Sequence, residues 1–432
     1  MIFCVSFNKL KKTRKTGVAL PFILIMKYRK RYIERRLVEL FNHFPVVAVL
    51  GARQTGKSTL VKHALGDQLK TIVFDPVQDI GNARQDPDLF LHNNPGSLFL
   101  DEVQYAPELL AAVKRTVDRT GAAGQYVLSG SQNLSVVKHI SESLAGRVAI
   151  LNLLPMGMAE QEDRTNDFDF LASWLHNEII RTNQKPALPW FHHIWRGGFP
   201  ALLDKPDHLA PTFYESYIRT YIERDIRTVS GISNLQLFGR FFSLLAATTA
   251  SEVNPTQLGR ELGIDRKTAQ SWLSIAESTF QWTEIPAFTR NAIKRVSGKR
   301  KGYITDTGIV CYYQRIPSYD MIPGHPMQGR LVETWSVFEI IKRIQSWPVK
   351  PALYHYRSYG GVEVDLVLEY GGRLFPIEIK SKSHPVKADT RGIRAFKESF
   401  PGEQIEKGLI ISAVEEPTWL SDDVLAVPWW FL

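Results

Sequence analysis

The sequence predicts an α/β protein that begins with a parallel sheet covered by helices on both faces. A helical region follows, and a smaller mixed α/β region comes last. Short apolar runs alternate with polar helical stretches between residues 27 and 160, which is typical of parallel strands buried on both faces. The stretch 254–280 has the pattern of a helix, a turn and a second helix, and the chain from 333 onward returns to a helix followed by alternating strands.

The chain of 432 residues is too long for one ordinary core, so it is expected to form several domains. The segment "SYDMIPGHPMQG" at 318–329 is the best candidate for a linker because it is rich in Pro and Gly. The predicted division is a disordered extension at 1–26, a first domain at 27–160, a helical domain at 161–317 and a last domain at 330–432.

Composition narrows the class of protein. An apolar fraction of 44% and a charged fraction of 22% describe an ordinary globular chain, and a net charge of +9 fits a polyanionic partner. Only Cys4 and Cys311 are present, which excludes a disulfide framework and a thiolate zinc cluster. The apolar run before Met26 is shorter than the roughly 20 residues that cross a bilayer. We therefore expect a cytoplasmic protein without a membrane partner.

The stretch "GARQTGKST" at 51–59 follows the apolar run 46–50 and precedes a helical stretch. It matches the pattern G-x-x-x-x-G-K-[ST], in which glycines let backbone N–H groups point at phosphate oxygens. In this pattern Lys57 reaches the outer phosphates of ATP and the Ser58 hydroxyl binds Mg²⁺. The strand–loop–helix context argues against a chance glycine loop. The predicted nucleotide-binding residues are Gly51, Ala52, Arg53, Gln54, Thr55, Gly56, Lys57, Ser58 and Thr59.

A second acidic motif, "SLFLDEVQ", supports this prediction. An apolar strand ends there in Asp101 and Glu102. Asp101 is expected to hold magnesium, and Glu102 to orient and polarise the attacking water as a general base. The alternative is a strand end followed by an acidic helix cap.

Two further positions have weaker assignments. The run "QYVLSGSQN" ends in polar residues where a γ-phosphate sensor would lie, with Ser129, Ser131 and Asn133 as candidates. Arg147 in "SESLAGR" is either an arginine finger acting on a neighbouring copy, which would imply a homo-oligomer, or an ordinary surface arginine.

The ordered set "GARQTGKSTL", "LFLDEVQ", "LSGSQN", "SESLAGR" and "WRGGFPAL" resembles bacterial and archaeal AAA-type ATPases with a DUF4143 C-terminal region. The resemblance covers nearly all of residues 27–432. It implies a P-loop NTPase parallel sheet of the additional-strand, catalytic-glutamate class, then a helical and winged-helix domain, then a nuclease-like α/β domain. The biological role of the family is mostly undefined.

The stretch 254–280 predicts two helices that cross at Gly263, with Asp265 capping the second one. The exposed face of the second helix would present Arg266, Lys267, Gln270 and Ser271 to the DNA major groove. The basic stretch "FTRNAIKRVSGKRKGYI" at 288–304 would act as a wing that contacts phosphates. Its basic residues are Arg290, Lys294, Arg295, Lys299, Arg300 and Lys301. The alternative is a winged helix used for packing or protein contact.

The last region contains "GVEVDLVLEYGGRLFPIEIKSK", which predicts a hairpin turning at Gly371 and Gly372. In this register one face is apolar at every rung, including Val364 opposite Ile379. The other face places Asp365 opposite Glu378, beside Lys380. Two carboxylates about 5 Å apart repel each other unless a cation lies between them.

This arrangement resembles the PD-(D/E)xK phosphodiesterase core. The resemblance implies a Mg²⁺ or Mn²⁺ site at Asp365 and Glu378, with Lys380 stabilising a water or an oxyanion. It also implies a further glutamate on the preceding helix, where Glu333 matches the family position better than Glu339.

Two functional hypotheses follow. In the first, an ATPase is coupled to DNA binding and to metal-dependent DNA cleavage. In the second, an ATP-driven DNA- or protein-binding switch carries a nuclease-like domain that does not cut. A regulator that barely hydrolyses ATP is a third hypothesis, and the presence of Glu102 argues against it.

Overall fold

The computed structural model describes residues 27–130, 143–176, 184–227, 232, 234–291, 293, 295, 298–358 and 360–432. The predicted extension at 1–26, the sensor candidates Ser131 and Asn133, and the wing residue Lys294 lie outside this description. Within these ranges, no helix has the length and apolar character needed to cross a membrane.

The first region is a five-stranded parallel sheet with helices on both faces, as predicted. Its strands are β1 Val46–Leu50, β2 Lys70–Val73, β3 Leu98–Asp101, β4 Tyr126–Gly130 and β5 Val148–Asn152. Its helices are α1 Glu34–His43, α2 Lys57–Leu65, α3 Pro87–Asn93 and α4 Leu109–Thr120. The strand order is β2-β3-β4-β1-β5, with β4 inserted between β1 and β3. Alternate residues of β1 face two separate apolar clusters, which explains the unbroken apolar run.

The middle region is mainly helical. It contains α5 Met158–Gln161, α6 Phe170–Leu175, α7 Trp190–Arg196, α8 Ala210–Thr220, a π-helix Tyr221–Ile226, and α9 Leu235–Ala247. The predicted helix pair is confirmed as α10 Pro255–Leu262 and α11 Arg266–Ser278, with Gly263 between them in the left-handed region at φ 70° and Asp265 accepting from the Thr268 N–H. A small antiparallel sheet flanks this pair in the chain, ordered β6-β8-β7, with β6 Ser251–Glu252 before the pair and β7 Trp282–Pro286 and β8 Arg300–Ile304 after it. The middle region ends with α12 Thr307–Tyr313.

The last region begins with α13 Gln328–Ile344, which leads into a six-stranded sheet ordered β13-β14-β12-β11-β10-β9. The strands are β9 Ala352–Arg357, β10 Glu363–Tyr370, β11 Arg373–Ile379, β12 Gly408–Ser412, β13 Thr418–Ser421 and β14 Val424–Pro428, with α14 Arg391–Ser399 on one face. One apolar cluster runs from the middle region into this sheet, and within it Trp190 stacks on Trp429 at 5.5 Å between ring centroids.

The predicted hairpin register is confirmed from Tyr370 opposite Arg373 to Leu366 opposite Ile377. The predicted pairing of Val364 with Ile379 on one apolar face is wrong. Strand β10 changes register against β9 between Val364 and Val367, and this irregularity moves Val364 into a different apolar cluster from Ile379. The sheet is therefore buried on both faces, where the sequence predicted a single apolar face.

Candidate functional sites

The P-loop (residues 51–59) lies at the carboxyl end of β1 and runs into the first turn of α2. Gly51 packs so closely that a Cβ there would lie 2.2 Å from the Leu153 carbonyl oxygen, and Gly56 has φ +91°, which disfavours other residues. The Lys57 ammonium donates to the carbonyls of Gly51 at 2.9 Å and Ala52 at 2.8 Å. The loop therefore curls around its own lysine, as a phosphate-binding loop requires. All nine predicted residues lie in this loop: Gly51, Ala52, Arg53, Gln54, Thr55, Gly56, Lys57, Ser58 and Thr59.

Asp101 and Glu102 lie at the same edge of the sheet, at the end of β3. The buried Asp101 carboxylate accepts a hydrogen bond from the Ser129 hydroxyl at the end of β4. The same hydroxyl accepts from the backbone N–H of Glu102 at 3.1 Å, and Glu102 has φ +59°. Ser129 thus orients the acidic pair, a contact that the sequence did not indicate.

The oxygen donors at this edge suit Mg²⁺. Ser58 supplies a hydroxyl at the start of α2, and Asp101 supplies a carboxylate one strand beyond β4. Neighbouring strands are about 4.8 Å apart, so two strand spacings separate the P-loop strand from the Asp101 strand. Hard oxygen ligands of this kind, combined with nucleotide phosphates, are the set that Mg²⁺ prefers. The residues present therefore fit a nucleotide-bound magnesium ion.

Arg147, the candidate arginine finger, forms an ion pair with Asp118 of α4 in the same chain. Both side chains are partly exposed, at 35% and 41%. The arrangement matches the surface alternative. A finger role, and the homo-oligomer it would require, stays a prediction.

Arg31, for which the sequence suggested no role, is buried against the P-loop. Its Nη1 donates to the Thr55 carbonyl at 2.8 Å, and its Nη2 donates to the Leu154 carbonyl at 2.7 Å. Its Nε lies 3.1 Å from Glu160 Oε1, and both side chains of this ion pair are almost fully buried. Arg31 therefore joins the P-loop to the end of β5 and to α5.

The same contacts continue to the last region. Glu160 also accepts from the backbone N–H groups of Tyr32 and Gly157, each at 2.7 Å. One residue further on, Met158 N–H donates to Glu339 of α13 at 2.8 Å, and Glu339 pairs with Lys342 at 2.9 Å. We call the set Arg31, Glu160, Glu339 and Lys342 the Arg31 network. Glu339, the less favoured of the two glutamates considered for the nuclease-like site, belongs to this network.

The acidic centre consists of five carboxylates from α13, β10, β11 and the turn before α14. They are Glu333, Glu363, Asp365, Glu378 and Asp389. Asp365 accepts from the Ile379 N–H at 2.9 Å, and Glu378 pairs with Lys380 at 2.8 Å. Four of these residues, without Glu333, line an open cavity of about 390 Å³. The structure thus brings Glu333, Asp365, Glu378 and Lys380 into one neighbourhood. The hairpin predicted this for Asp365, Glu378 and Lys380, and the family resemblance implied it for Glu333.

Lys301 occupies the middle of this cluster. Its Nζ lies 2.5 Å from Glu333 Oε1, 3.5 Å from Asp365 Oδ1 and 4.0 Å from Glu363 Oε2. The Tyr303 hydroxyl donates to the same Glu333 oxygen at 2.8 Å. The sequence predicted Lys301 as an exposed wing residue. That prediction is wrong, because the Lys301 side chain is only 7% exposed and faces carboxylates instead of solvent.

Burial governs the protonation of this cluster. Burial and the neighbouring Asp365 charge raise the pKa of Glu333 to about 7 and the pKa of Glu378 well above its ordinary value. Burial lowers the pKa of Lys301, but the carboxylates of Glu333 and Asp365 outweigh it and leave that pKa above its ordinary value. Lys301 is therefore a permanent ammonium ion.

The divalent metal site expected at Glu333, Asp365 and Glu378 stays a prediction. Across the described ranges, no group of three or more His, Cys, Asp or Glu side chains is arranged to hold a metal ion. The Lys301 ammonium lies between Glu333 and Asp365, two of the three predicted ligands. No cleavage chemistry is therefore assigned to this centre.

Most of the predicted wing is engaged inside the chain. Arg290 pairs with Glu403 at 3.3 Å, Arg295 with Glu369 at 3.4 Å and Lys299 with Glu252 at 2.9 Å. Arg295 also lies over the Phe288 ring at 4.8 Å. By contrast, Arg266, Lys267, Gln270 and Ser271 on α11 are all exposed, as predicted for the second helix.

The P-loop and the Asp101–Glu102 pair lie within the first of three segments that match known protein families. Residues 43–162 match an AAA domain. Residues 328–432 match a domain of unknown function, DUF4143, and residues 189–320 match another, DUF8612. The resemblance to AAA-type ATPases with a DUF4143 region is thereby confirmed for these segments, and the AAA domain implies nucleotide use with Mg²⁺. The descriptions of the other two segments assign no activity.

The chain is 26% identical over 408 residues to uncharacterized proteins of Mycobacterium tuberculosis and Mycobacterium bovis, covering 94% of this chain and 85% of each relative. A Walker-type ATPase of Pyrococcus abyssi is 15% identical, with 67% of this chain and 99% of that chain covered and a TM-score of 0.40. The RuvB Holliday junction branch migration motor of Thermotoga maritima is also 15% identical, covering 62% and 95%, with a TM-score of 0.29. Because both TM-scores are low, these two structures carry no argument here. The AAA domain is assigned from the family match at residues 43–162 and from its five-stranded parallel sheet.

Proposed function

We propose that the AAA domain binds ATP with Mg²⁺ and hydrolyses it. The observation that carries this proposal is the position of Lys57 and of the Asp101–Glu102 pair on either side of β4, at one edge of one sheet. That edge is where open α/β sheets bind their ligands.

Each residue has a defined part in this proposal. The N–H groups of residues 51–59 and the amino end of α2 hold the phosphates, and Lys57 neutralises their outer charge. Ser58 and Asp101 would hold Mg²⁺, which neutralises charge on the transferring phosphoryl group. Glu102 orients the attacking water as general base, and Ser129 keeps Asp101 and Glu102 in place.

We propose that the state of the P-loop reaches the DUF4143 segment through the Arg31 network. Arg31 contacts the Thr55 carbonyl directly, and Glu339 holds the amino end of α5 from α13. A shift of the loop on nucleotide binding would strain buried ion pairs, which tolerate little displacement. The Arg31 network is therefore suited to couple nucleotide binding at the P-loop to the position of the DUF4143 segment.

DNA is the proposed partner, bound through the exposed face of α11 in a winged-helix arrangement. Arg266 and Lys267 are exposed beside Gln270 and Ser271 on one helix, a composition suited to phosphate and base contacts. Among the described residues of the predicted wing, Lys299 and Arg300 are more exposed than Lys301, with side-chain exposures of 75% and 40%. We therefore place the DNA contact mainly on α11.

Two forms of this function differ in whether the nuclease-like region cuts DNA. The buried Lys301 favours the form without cleavage, in which ATP turnover drives a DNA- or protein-binding switch. The form with Mg²⁺- or Mn²⁺-dependent cleavage would need Asp365, Glu378 and Lys380 to act with Lys301 displaced. It is tested by incubating plasmid and linear DNA with either metal, with and without ATP. Cleavage that is lost in Asp365→Ala would favour it.

The ATPase proposal is tested by phosphate release and by titration with a fluorescent ATP analogue. Lys57→Ala should lose nucleotide binding, and Glu102→Gln should bind nucleotide while its turnover falls by about 100-fold or more. Lys62→Ala, an exposed lysine on the same helix, is the matched control and should behave as the wild type. Unchanged turnover in both Lys57→Ala and Glu102→Gln would exclude this site.

A further inference from the structure

We infer that Lys301 is the resident cation of the acidic centre and that it excludes divalent metal ions from it. The centre has the residues expected of a phosphodiesterase metal site, yet an ammonium ion from another part of the chain lies within 4.0 Å of three of its carboxylates. Lys301 Nζ lies 2.5 Å from Glu333 Oε1, which is a hydrogen-bonded ion pair. It also lies 3.5 Å from Asp365 Oδ1. This role of Lys301 does not depend on the ATPase proposal.

The charges of the centre are already nearly balanced. Glu363 pairs with Arg357 at 2.8 Å, Asp389 with Lys382 at 2.6 Å and Glu378 with Lys380 at 2.8 Å. Glu333 and Asp365 share Lys301. With all five carboxylates ionised, these groups carry one more negative than positive charge, so a dication would reverse the sign of the cluster. Buried excess charge is costly because the interior solvates ions poorly.

Strand pairing holds the backbone of Lys301 beside the acidic centre. Lys301 lies in β8, the central strand of the small sheet, where its backbone is paired with Glu252 of β6 and Ile285 of β7. Directly after β7, Ala287 forms a backbone bridge to His355 of β9, and Phe288 N–H donates to the His355 carbonyl at 2.7 Å. The small sheet that carries Lys301 is therefore joined, through the residues after β7, to the large sheet beside the acidic centre.

The shape of Lys301 suits this role. The Lys301 side chain is buried. The Tyr303 hydroxyl, two residues further along β8, donates to the same Glu333 oxygen that Lys301 contacts. Both side chains therefore extend from one face of β8 towards α13. A wing lysine that binds DNA would instead need its ammonium in solvent. The structure therefore assigns Lys301 to the interior of the molecule and removes it from the DNA-binding surface.

The test is Mn²⁺ binding to the full chain without nucleotide, measured by isothermal titration and by the loss of the free-ion EPR signal. The wild type should bind the same amount of Mn²⁺ as Asp365→Asn, because its acidic centre holds none. Lys301→Met, which keeps an unbranched apolar stem and removes the ammonium group, should gain about one site per chain with a Kd below about 1 mM. The double variant Lys301→Met with Asp365→Asn should lose that site again, whereas any weak binding at the P-loop would remain.

Any of three results would overturn the inference. The first is a wild-type protein that binds one Mn²⁺ more than Asp365→Asn does. The second is a folded Lys301→Met protein that gains no site. If Lys301→Met does not fold, Lys301→Gln, which also removes the charge, takes its place. Lys301→Arg keeps the charge and should bind no more Mn²⁺ than the wild type; a gained site in this variant would also contradict the inference.

Discussion

Arg31 Nη1 donates a hydrogen bond of 2.8 Å to the carbonyl of Thr55, so a residue from before α1 holds the turn that carries Lys57. The other side of the same guanidinium is paired with Glu160 at 3.1 Å. The planar guanidinium can make both contacts at once, because its donors point in fixed directions. The P-loop is therefore held from outside the segment in which its motif lies.

Replacing Arg31 with Met should destabilise the protein by about 3–5 kcal/mol, because Glu160 would stay buried without its cation. The free energy of unfolding in urea measures this loss. Glu160→Gln in the same background should recover part of it, since the uncompensated charge disappears. Losses that simply add in the double variant would show that the two residues do not interact.

Glu339→Gln should lower ATP turnover by about 2- to 30-fold, which corresponds to the coupling expected from a residue within a contact network. The variant keeps the side-chain volume but weakens the contacts with Met158 N–H and Lys342. Glu333→Gln on the same helix is the matched control, because Glu333 faces the acidic centre. Steady-state phosphate release measures both, and an equal effect of the two changes would contradict transmission through Glu339.

The double reversal Arg266→Glu and Lys267→Glu should weaken duplex DNA binding. It should also reduce the slope of log Kd against log salt by about 1 for each phosphate that α11 no longer neutralises. Fluorescence anisotropy at several salt concentrations measures the slope. The control Lys70→Glu and Arg119→Glu reverses the same number of exposed charges on the AAA domain. Equal weakening in both pairs would mean that net charge alone, and not α11, governs binding.

His355 should make stability depend on pH. Burial, and secondly the charge of Lys301, lowers its pKa from 6.5 to about 4. Because the folded pKa lies below the unfolded one, the stabilisation is fully present above pH 6.5 and is lost as the pH falls towards 4. Between about pH 7.5 and about pH 5 the wild type should lose about 2 kcal/mol more than His355→Gln in urea unfolding. Parallel curves for the two proteins would contradict a depressed pKa.

Local patterns in the sequence were sufficient to predict the first sheet and the helix pair α10 and α11. The apolar runs near 46–50 and 97–100 became strands because their residues are buried on both faces of a sheet, and Gly263 marked the turn between α10 and α11. The P-loop was predictable for the same reason, since its glycines and its lysine lie within one short stretch. Such features depend on neighbours in sequence.

The contacts that define the acidic centre depend on residues far apart in the chain. Lys301 meets Glu333 and Asp365 only after β8 has packed beside α13 and β10. Nothing in a run of basic residues tells a buried lysine from an exposed one, so Lys301 was predicted as part of a DNA-binding wing. Val364 was misplaced for a similar reason, because the irregularity in β10 arises from its pairing with β9.

The backbone bridge between Ala287 and His355 has a practical consequence for dissecting the molecule. A fragment that starts at Gln328 would retain α13 and the whole six-stranded sheet but would lack both that bridge and Lys301. Its carboxylates would attract whatever cation the buffer supplies. Metal affinity or DNA cleavage measured on such a fragment would be a property created by the truncation, and only the intact chain reports the behaviour of the native centre.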